Sequence, residues 1–337
     1  MNPSLHEFSN QFLDKLLDLI WGQWTALGVS GYSASDDPRL IDPEALLLAT
    51  CSFGRYEPRL FDEALDCLQE NGWTINTQRL STLLRDEQWS GAPVLAAVAG
   101  WLSTGKYALK WRRLSNHPPR NAAPEELFRL KDGRPSPVVG EPEPHFAGYG
   151  FQRGPLRLRG HSQAFRPLDR RNLVVQLRAL CGVNVRAEVI AYLLTHETGH
   201  PTEIAKAAYY HKRTVQDALV EMSRSGVVDI RPSGREKHYW LRTNEWQTLL
   251  QRPDALPQWV CWPPYFSAME RIWQRIHDPK LDGLDALALS SVLRQLMVEV
   301  RPSIERAGFD KTLSDDRQYL GERYLSVFLA DVIKLLG

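Results

Sequence analysis

Two groups of residues in this chain have types and spacing that can do chemistry. His196, Glu197, Thr198, Gly199 and His200 spell H-E-x-x-H. On one continuous helix this spacing turns both imidazoles towards a zinc ion, with the glutamate as general base for hydrolysis. A little further on, His211, Lys212, Arg213, Thr214 and Gln216 gather at the start of an amphipathic segment. Lysine and arginine there suit phosphates or guanine, and glutamine suits adenine. The helix N-terminus adds a field that favours phosphate. The first group would make a metal hydrolase, and the second a reader of double-stranded DNA.

The elements that must carry these residues decide between them. Val185, Val189, Ile190, Leu193 and Leu194 recur at helical spacing, so a helix is expected over residues 185–195. Pro201 suits the first turn of the next helix, where its missing N–H costs nothing. Inside one continued helix Pro201 would clash with the carbonyl of Glu197 and cost about 3 kcal/mol. H-E-x-x-H therefore reads as an interhelical loop. No third ligand stands in a matching downstream motif, because Glu221 belongs to the third helix. The expectation is no bound metal, no cofactor and no enzymatic activity.

The second helix continues Thr202-Glu203-Ile204-Ala205-Lys206-Ala207 and turns at Ala208-Tyr209-Tyr210. The third runs from His211 to Ser225 with Val215, Leu219 and Met222 inward, and Gly226 stops it. Val227, Val228 and Ile230 then read as a strand, residues 232–235 as a turn, and residues 238–241 as the returning strand. With Glu203-Ile204-Ala205, Lys212-Arg213-Thr214-Val215, Ala218-Leu219, Ser225-Gly226-Val227-Val228 and Gly234-Arg235, this stretch resembles the winged helix-turn-helix transcriptional regulators of the MarR and ArsR type. It departs from them at Tyr209-Tyr210-His211, which replaces the usual small turn residue and Ser cap and predicts a looser turn.

The resemblance implies a third helix that enters the major groove. Its DNA-binding set would be Thr202, His211, Lys212, Arg213, Thr214 and Gln216, with Arg235, Lys237 and His238 reaching the backbone or minor groove from the wing. It also implies a homodimer reading paired half-sites.

Around this centre the expected fold is mainly α with a small β wing. Residues 1–115 read as a helical N-terminal domain, with stripes at Leu5–Ile20, after Pro43, from Pro58 to Asn71-Gly72, and over 77–84. Glu63-Ala64-Leu65 to Gly72 echoes Asp217-Ala218-Leu219 to Gly226, as a degenerate second helix-turn-helix would. Residues 116–180 are a Pro- and Arg-rich connector with one short strand at Leu156–Arg159. Residues 181–244 hold the winged helix. Residues 245–337 form a helical C-terminal domain for oligomerisation or partner binding, with one stripe closing near Pro302.

Composition narrows the setting. With 43% hydrophobic and 24% charged residues the chain reads as globular, and a net charge of +1 gives no bulk attraction to polyanions. Local charge must do that work. Seven arginines face only Asp169 across 151–180, and Lys106, Lys110, Arg112, Arg113 and Arg120 form another basic patch; both suit a phosphate track. No long apolar run offers a membrane span, no secretory leader is expected, and Cys51, Cys67, Cys181 and Cys261 lack paired spacing. A cytoplasmic, sequence-specific DNA-binding regulator, most simply a repressor, is the expectation. The alternative is an antitoxin-like or adaptor protein whose winged helix and helical domains hold a protein partner, such as a toxin or effector. Zinc hydrolysis stands a distant third.

Overall fold

The computed structural model describes residues 3–30, 37–116, 123–233, 236–252, 256–315 and 318–337. It is mainly helical. Six helices come first: α1 (Pro3–Ala26), α2 (Pro43–Phe53), α3 (Pro58–Asn71), α4 (Thr77–Asp86), α5 (Ala92–Leu102) and α6 (Ala108–Ser115). A two-residue strand β1 (Glu125–Glu126), the short helix α7 (Pro144–Gly148) and β2 (Phe151–Gln152) come next, with β1 parallel to β2. Then come α8 (Leu173–Cys181), α9 (Val185–Thr195), α10 (Pro201–Ala208) and α11 (Lys212–Arg224). The antiparallel hairpin β3 (Asp229–Ser233) and β4 (Glu236–Trp240) leads into α12 (Thr243–Leu249). α13 (Trp262–Ile276), α14 (Ala286–Ala307) and α15 (Arg323–Leu335) close the described chain.

Two cores organise these elements. The larger draws apolar side chains from both ends of the chain, from α1–α6 and from α13–α15. Phe12 of α1 stacks on Trp273 of α13 with centroids 5.8 Å apart, and Phe8 meets Phe328 of α15 at 6.3 Å. The helical stripes set apart in the sequence thus bury one another. The smaller core belongs to α8–α11 and the hairpin, with Val189, Ile190, Leu193, Ile204, Val215, Leu219 and Tyr239 at its centre.

Several local expectations need correcting. Leu156–Arg159 pairs with no strand; the leucines lean on the larger core while Arg157 and Arg159 face outward, so their alternation reflects a packed segment without a ladder. Pro302 does not end its helix. α14 passes through it and stops at Gly308, whose φ of +98° is the left-handed geometry of a helix terminus. The connector also runs into a helix, α8, that buries Leu173, Val174, Val175, Leu177 and Arg178.

The echo between α3 and α11 ends with the helices themselves. Gly72 has φ −61° and leads through a 3₁₀ turn into α4, whereas Gly226 has φ +77° and leads into the hairpin. The outer acids of α3 are covered as well. Asp62 takes both guanidinium nitrogens of Arg153 at 2.7 and 2.9 Å, and Asp66 accepts the N–H groups of Gly160 and Ser162. The arginine-rich connector is therefore partly a strap over α3. Arg153, Arg171 and Arg178 are buried in ion pairs and are not available to phosphate. Arg157, Arg159, Arg166 and Arg170 stay exposed. Among the described residues no helix is long and apolar enough to cross a membrane.

Candidate functional site

The H-E-x-x-H residues sit between helices. α9 ends at Thr195, His196 is extended, and His200 is the N-cap of α10. His200 accepts the N–H of Thr202 on Nδ1 at 3.3 Å, and Glu203 reaches back to the His200 N–H at 2.9 Å. This is a capping box with histidine in the place of serine. His196 lies flat on Tyr192, with ring centroids 3.9 Å apart, and its Nδ1 meets the Tyr192 carbonyl at 2.8 Å. Burial holds its pKa below the usual value, against that hydrogen bond and the Glu203 charge, so the ring is neutral near pH 7. The two imidazoles thus serve a cap and an aromatic stack. Among the described residues no group of three His, Cys, Asp or Glu could hold a metal ion.

Gly199, between those histidines, joins the loop to the hairpin. It exchanges backbone hydrogen bonds with Tyr239, N to O at 2.8 and 3.0 Å. A Cβ on Gly199 would stand 2.8 Å from Ile204 Cδ1 and 2.9 Å from Tyr192 Cε1, so only glycine allows this approach.

α11 presents the polar face that its pattern implies. Val215, Ala218, Leu219 and Met222 are buried, while His211, Lys212, Arg213 and Thr214 are all exposed at its first turn. The Arg213 side chain is 92% exposed, with Asp217 at 3.8 Å as a loose partner. Gln216 is half-buried and donates from Nε2 to the Tyr239 hydroxyl at 3.1 Å, so its amide also braces the hairpin. Lys237 is exposed on β4, and His238 is half-buried with Nε2 3.8 Å from the Glu236 carboxylate. Thr202 is half-buried at the start of α10. Gly234 and Arg235 lie outside the described residues, as does Arg120.

The turn between α10 and α11 is tight, contrary to what its tyrosines suggest. Tyr209 adopts φ +59°, ψ +48°, the left-handed geometry that a glycine would take without strain. Tertiary bonds hold it there. Its hydroxyl donates to Glu87 Oε1 at 2.6 Å. Burial, then Cys261 and the Glu87 carboxylate, push the phenol above its usual range, so it remains a donor. Tyr210 Oη accepts from Asn76 Nδ2 at 2.7 Å, and Arg79 Nε donates to the Ala208 carbonyl at 2.8 Å. All three partners come from α4 or its two flanking residues. The departure from the usual turn sequence is thus the latch that docks α10–α11 on the larger core.

Behind this latch lies a buried ionic hub. Arg79 binds Asp42 through both terminal nitrogens at 2.7 and 2.6 Å and reaches Glu44 at 2.6 Å. Arg178 takes the other side of Glu44 and also holds Glu188 of α9. Burial works against each charge. Arg79 nevertheless keeps the Asp42 carboxyl below the ordinary range, and Glu188 and Glu44 raise the Arg178 guanidinium above its own.

Beside the first turn of α11 a cleft of about 1010 Å³ opens between α4, α10 and the start of α13. Arg85, Lys206, Lys212, Arg306, His196 and Trp259 stand around it, although they are scattered along the sequence. Sequence reasoning missed this cleft. Of its cations only Lys212 belongs to the expected DNA-binding set, and nothing in the pattern brings Arg85 and Arg306 to the same opening.

Compared with protein-family models, curated proteins and solved structures, the chain matches none.

Proposed function

We propose that residues 185–242 form a winged helix-turn-helix and that the protein binds double-stranded DNA through it as a transcriptional regulator. The observation that carries this reading is the first turn of α11. Four consecutive polar residues, His211–Thr214, are exposed while the opposite face of the same helix is locked into a core. The hairpin next to it carries exposed Arg231 and Lys237 and is tied through Tyr239 to the loop ahead of α10. A helix held this way can enter a major groove while the hairpin tracks the neighbouring backbone. Lys212, Arg213 and Lys237 would neutralise phosphates or meet guanine. His211 and Thr214 would add hydrogen bonds, and Gln216 would set the spacing between helix and hairpin.

The latch at Tyr209-Tyr210 supports the same reading, because it fixes the direction of α11 relative to the whole molecule. A reading helix of fixed direction spends less ordering entropy on binding. Repression by occupancy of a promoter, with two copies on paired half-sites, is the simplest mode of action.

The test is an electrophoretic mobility shift with duplex fragments from the protein's own promoter region. Wild type should shift one fragment preferentially, and Lys212→Ala/Arg213→Ala should lose at least tenfold in affinity. Equal binding by both proteins would overturn the assignment of α11.

A further inference from the structure

We propose that the cleft beside α11 binds a nucleoside phosphate, with the base against Trp259 and His196 and the phosphate among Arg85, Lys206, Lys212 and Arg306. The ligand is either a free nucleotide or an unpaired nucleotide at the end of a strand. In the second case the inference rests on the DNA-binding reading.

Three features of the cleft lead to this chemistry. The first is its aromatic wall. His196 is coplanar with Tyr192 within 6° at 3.9 Å, and Trp259 stands edge-on to both rings at 5.4 and 5.6 Å. The Tyr192 ring is buried behind, while His196 and Trp259 keep partly exposed surface towards the opening. A neutral imidazole and an indole offer flat faces on which any base can stack. Because His196 uses Nδ1 on the Tyr192 carbonyl, its Nε2 remains an acceptor for an exocyclic amine.

The second feature is the rim. Four cations come from four different helices, α4, α10, α11 and α14, onto one opening. The acids nearby already have partners. Asp86 pairs with Arg85, Glu203 caps α10, and Glu87 takes the Tyr209 hydroxyl and the Arg306 guanidinium. Arg85 and Arg306 remain 61% and 54% exposed, so each can still turn towards an anion.

The third feature is size and place. About 1010 Å³ accommodates a nucleoside phosphate with room for solvent or a second nucleotide. The opening adjoins Lys212 and His211, so a bound phosphate sits beside the helix assigned to the duplex. A free nucleotide there would compete with DNA for Lys212. A strand end there would extend the DNA footprint.

Isothermal titration of the full chain with adenosine monophosphate and with 5′-phosphorylated tetrathymidylate tests this. Binding of the mononucleotide assigns a free nucleotide, and binding of the tetranucleotide alone assigns a strand end. Binding of neither at millimolar concentration overturns the proposal. Arg85→Ala/Arg306→Ala, two exposed positions, should weaken whichever ligand binds at least tenfold. Trp259→Leu, with its fold checked by circular dichroism, should do the same. Unchanged affinity in the arginine variant would place the ligand elsewhere and also overturn the proposal. Blunt duplex binding is measured separately with Arg213→Ala/Lys237→Ala, since neither residue lines the cleft. Loss in one variant and not the other therefore distinguishes failure of the cleft from failure of the duplex assignment.

Discussion

Arg178 of α8 closes on Glu44 of α2 through two parallel hydrogen bonds, each 2.7 Å long, although the residues lie 134 positions apart. Both side chains are fully buried. This pair, with Arg79, Asp42 and Glu188, joins the larger core to the smaller one. It defines how α9–α11 are held on the rest of the protein.

Removing one partner from such a hub leaves buried charge without compensation. Arg178→Met should destabilise the fold by about 3–5 kcal/mol in urea unfolding. Arg178→Lys should recover little of this, because an ammonium cannot reproduce the fork that spans Glu44 and Glu188. A lysine variant as stable as wild type would show that charge alone, without geometry, suffices.

The Tyr209 hydroxyl donates to the buried Glu87 carboxylate at 2.6 Å. Tyr209→Phe keeps the ring and the left-handed backbone but removes this bond, and should cost about 2 kcal/mol, as expected for a hydrogen bond to a charged group. A double-mutant cycle with Glu87→Gln should assign most of that loss to the pair. Strictly additive losses would mean that the two groups do not communicate.

Lys110 of α6 is partly buried and donates to the Trp73 carbonyl at 2.6 Å. Burial lowers its pKa from 10.5 to about 8. Between those values the unfolded chain carries a proton that the folded chain does not. Stability from this group therefore rises with pH across that window and is lost as pH falls through about 8. The stability of wild type relative to Lys110→Met should rise from pH 8 to pH 10.5. A gap independent of pH would contradict the lowered pKa.

His196 and His200 are committed to a stack and a cap in the interhelical loop. Thermal stability and DNA affinity should not change after dialysis against a strong zinc chelator. Loss of either, restored by zinc and abolished in His196→Ala, would return the motif to metal chemistry.

How much of this was legible in the sequence depends on the range of the interaction. α9, α10, α11 and the hairpin were readable because their signals are local: apolar spacing, Pro201 at a helix start and Gly226 at a helix end. Pro201 and Gly199 also marked the H-E-x-x-H residues as a loop correctly. The Arg-rich connector misled for the opposite reason. Its positive charge is visible in sequence, but Asp62 and Glu44, which neutralise Arg153 and Arg178, come from distant helices. Tyr209-Tyr210 stood out as an odd turn, yet only the packing of α4 shows why tyrosines belong there. The cleft was illegible altogether, since its cations share no element and no period.

Whether α11 and the hairpin hold duplex DNA is decided by duplex affinity as a function of salt. Binding to the preferred promoter fragment should weaken steeply, with a log–log slope of about −0.9 for each phosphate contact neutralised. Removing Arg213 and Lys237 together should make that slope shallower by roughly two contacts. Affinity that ignores salt, or a slope that the double variant leaves unchanged, would contradict the claim and favour a protein partner on this surface.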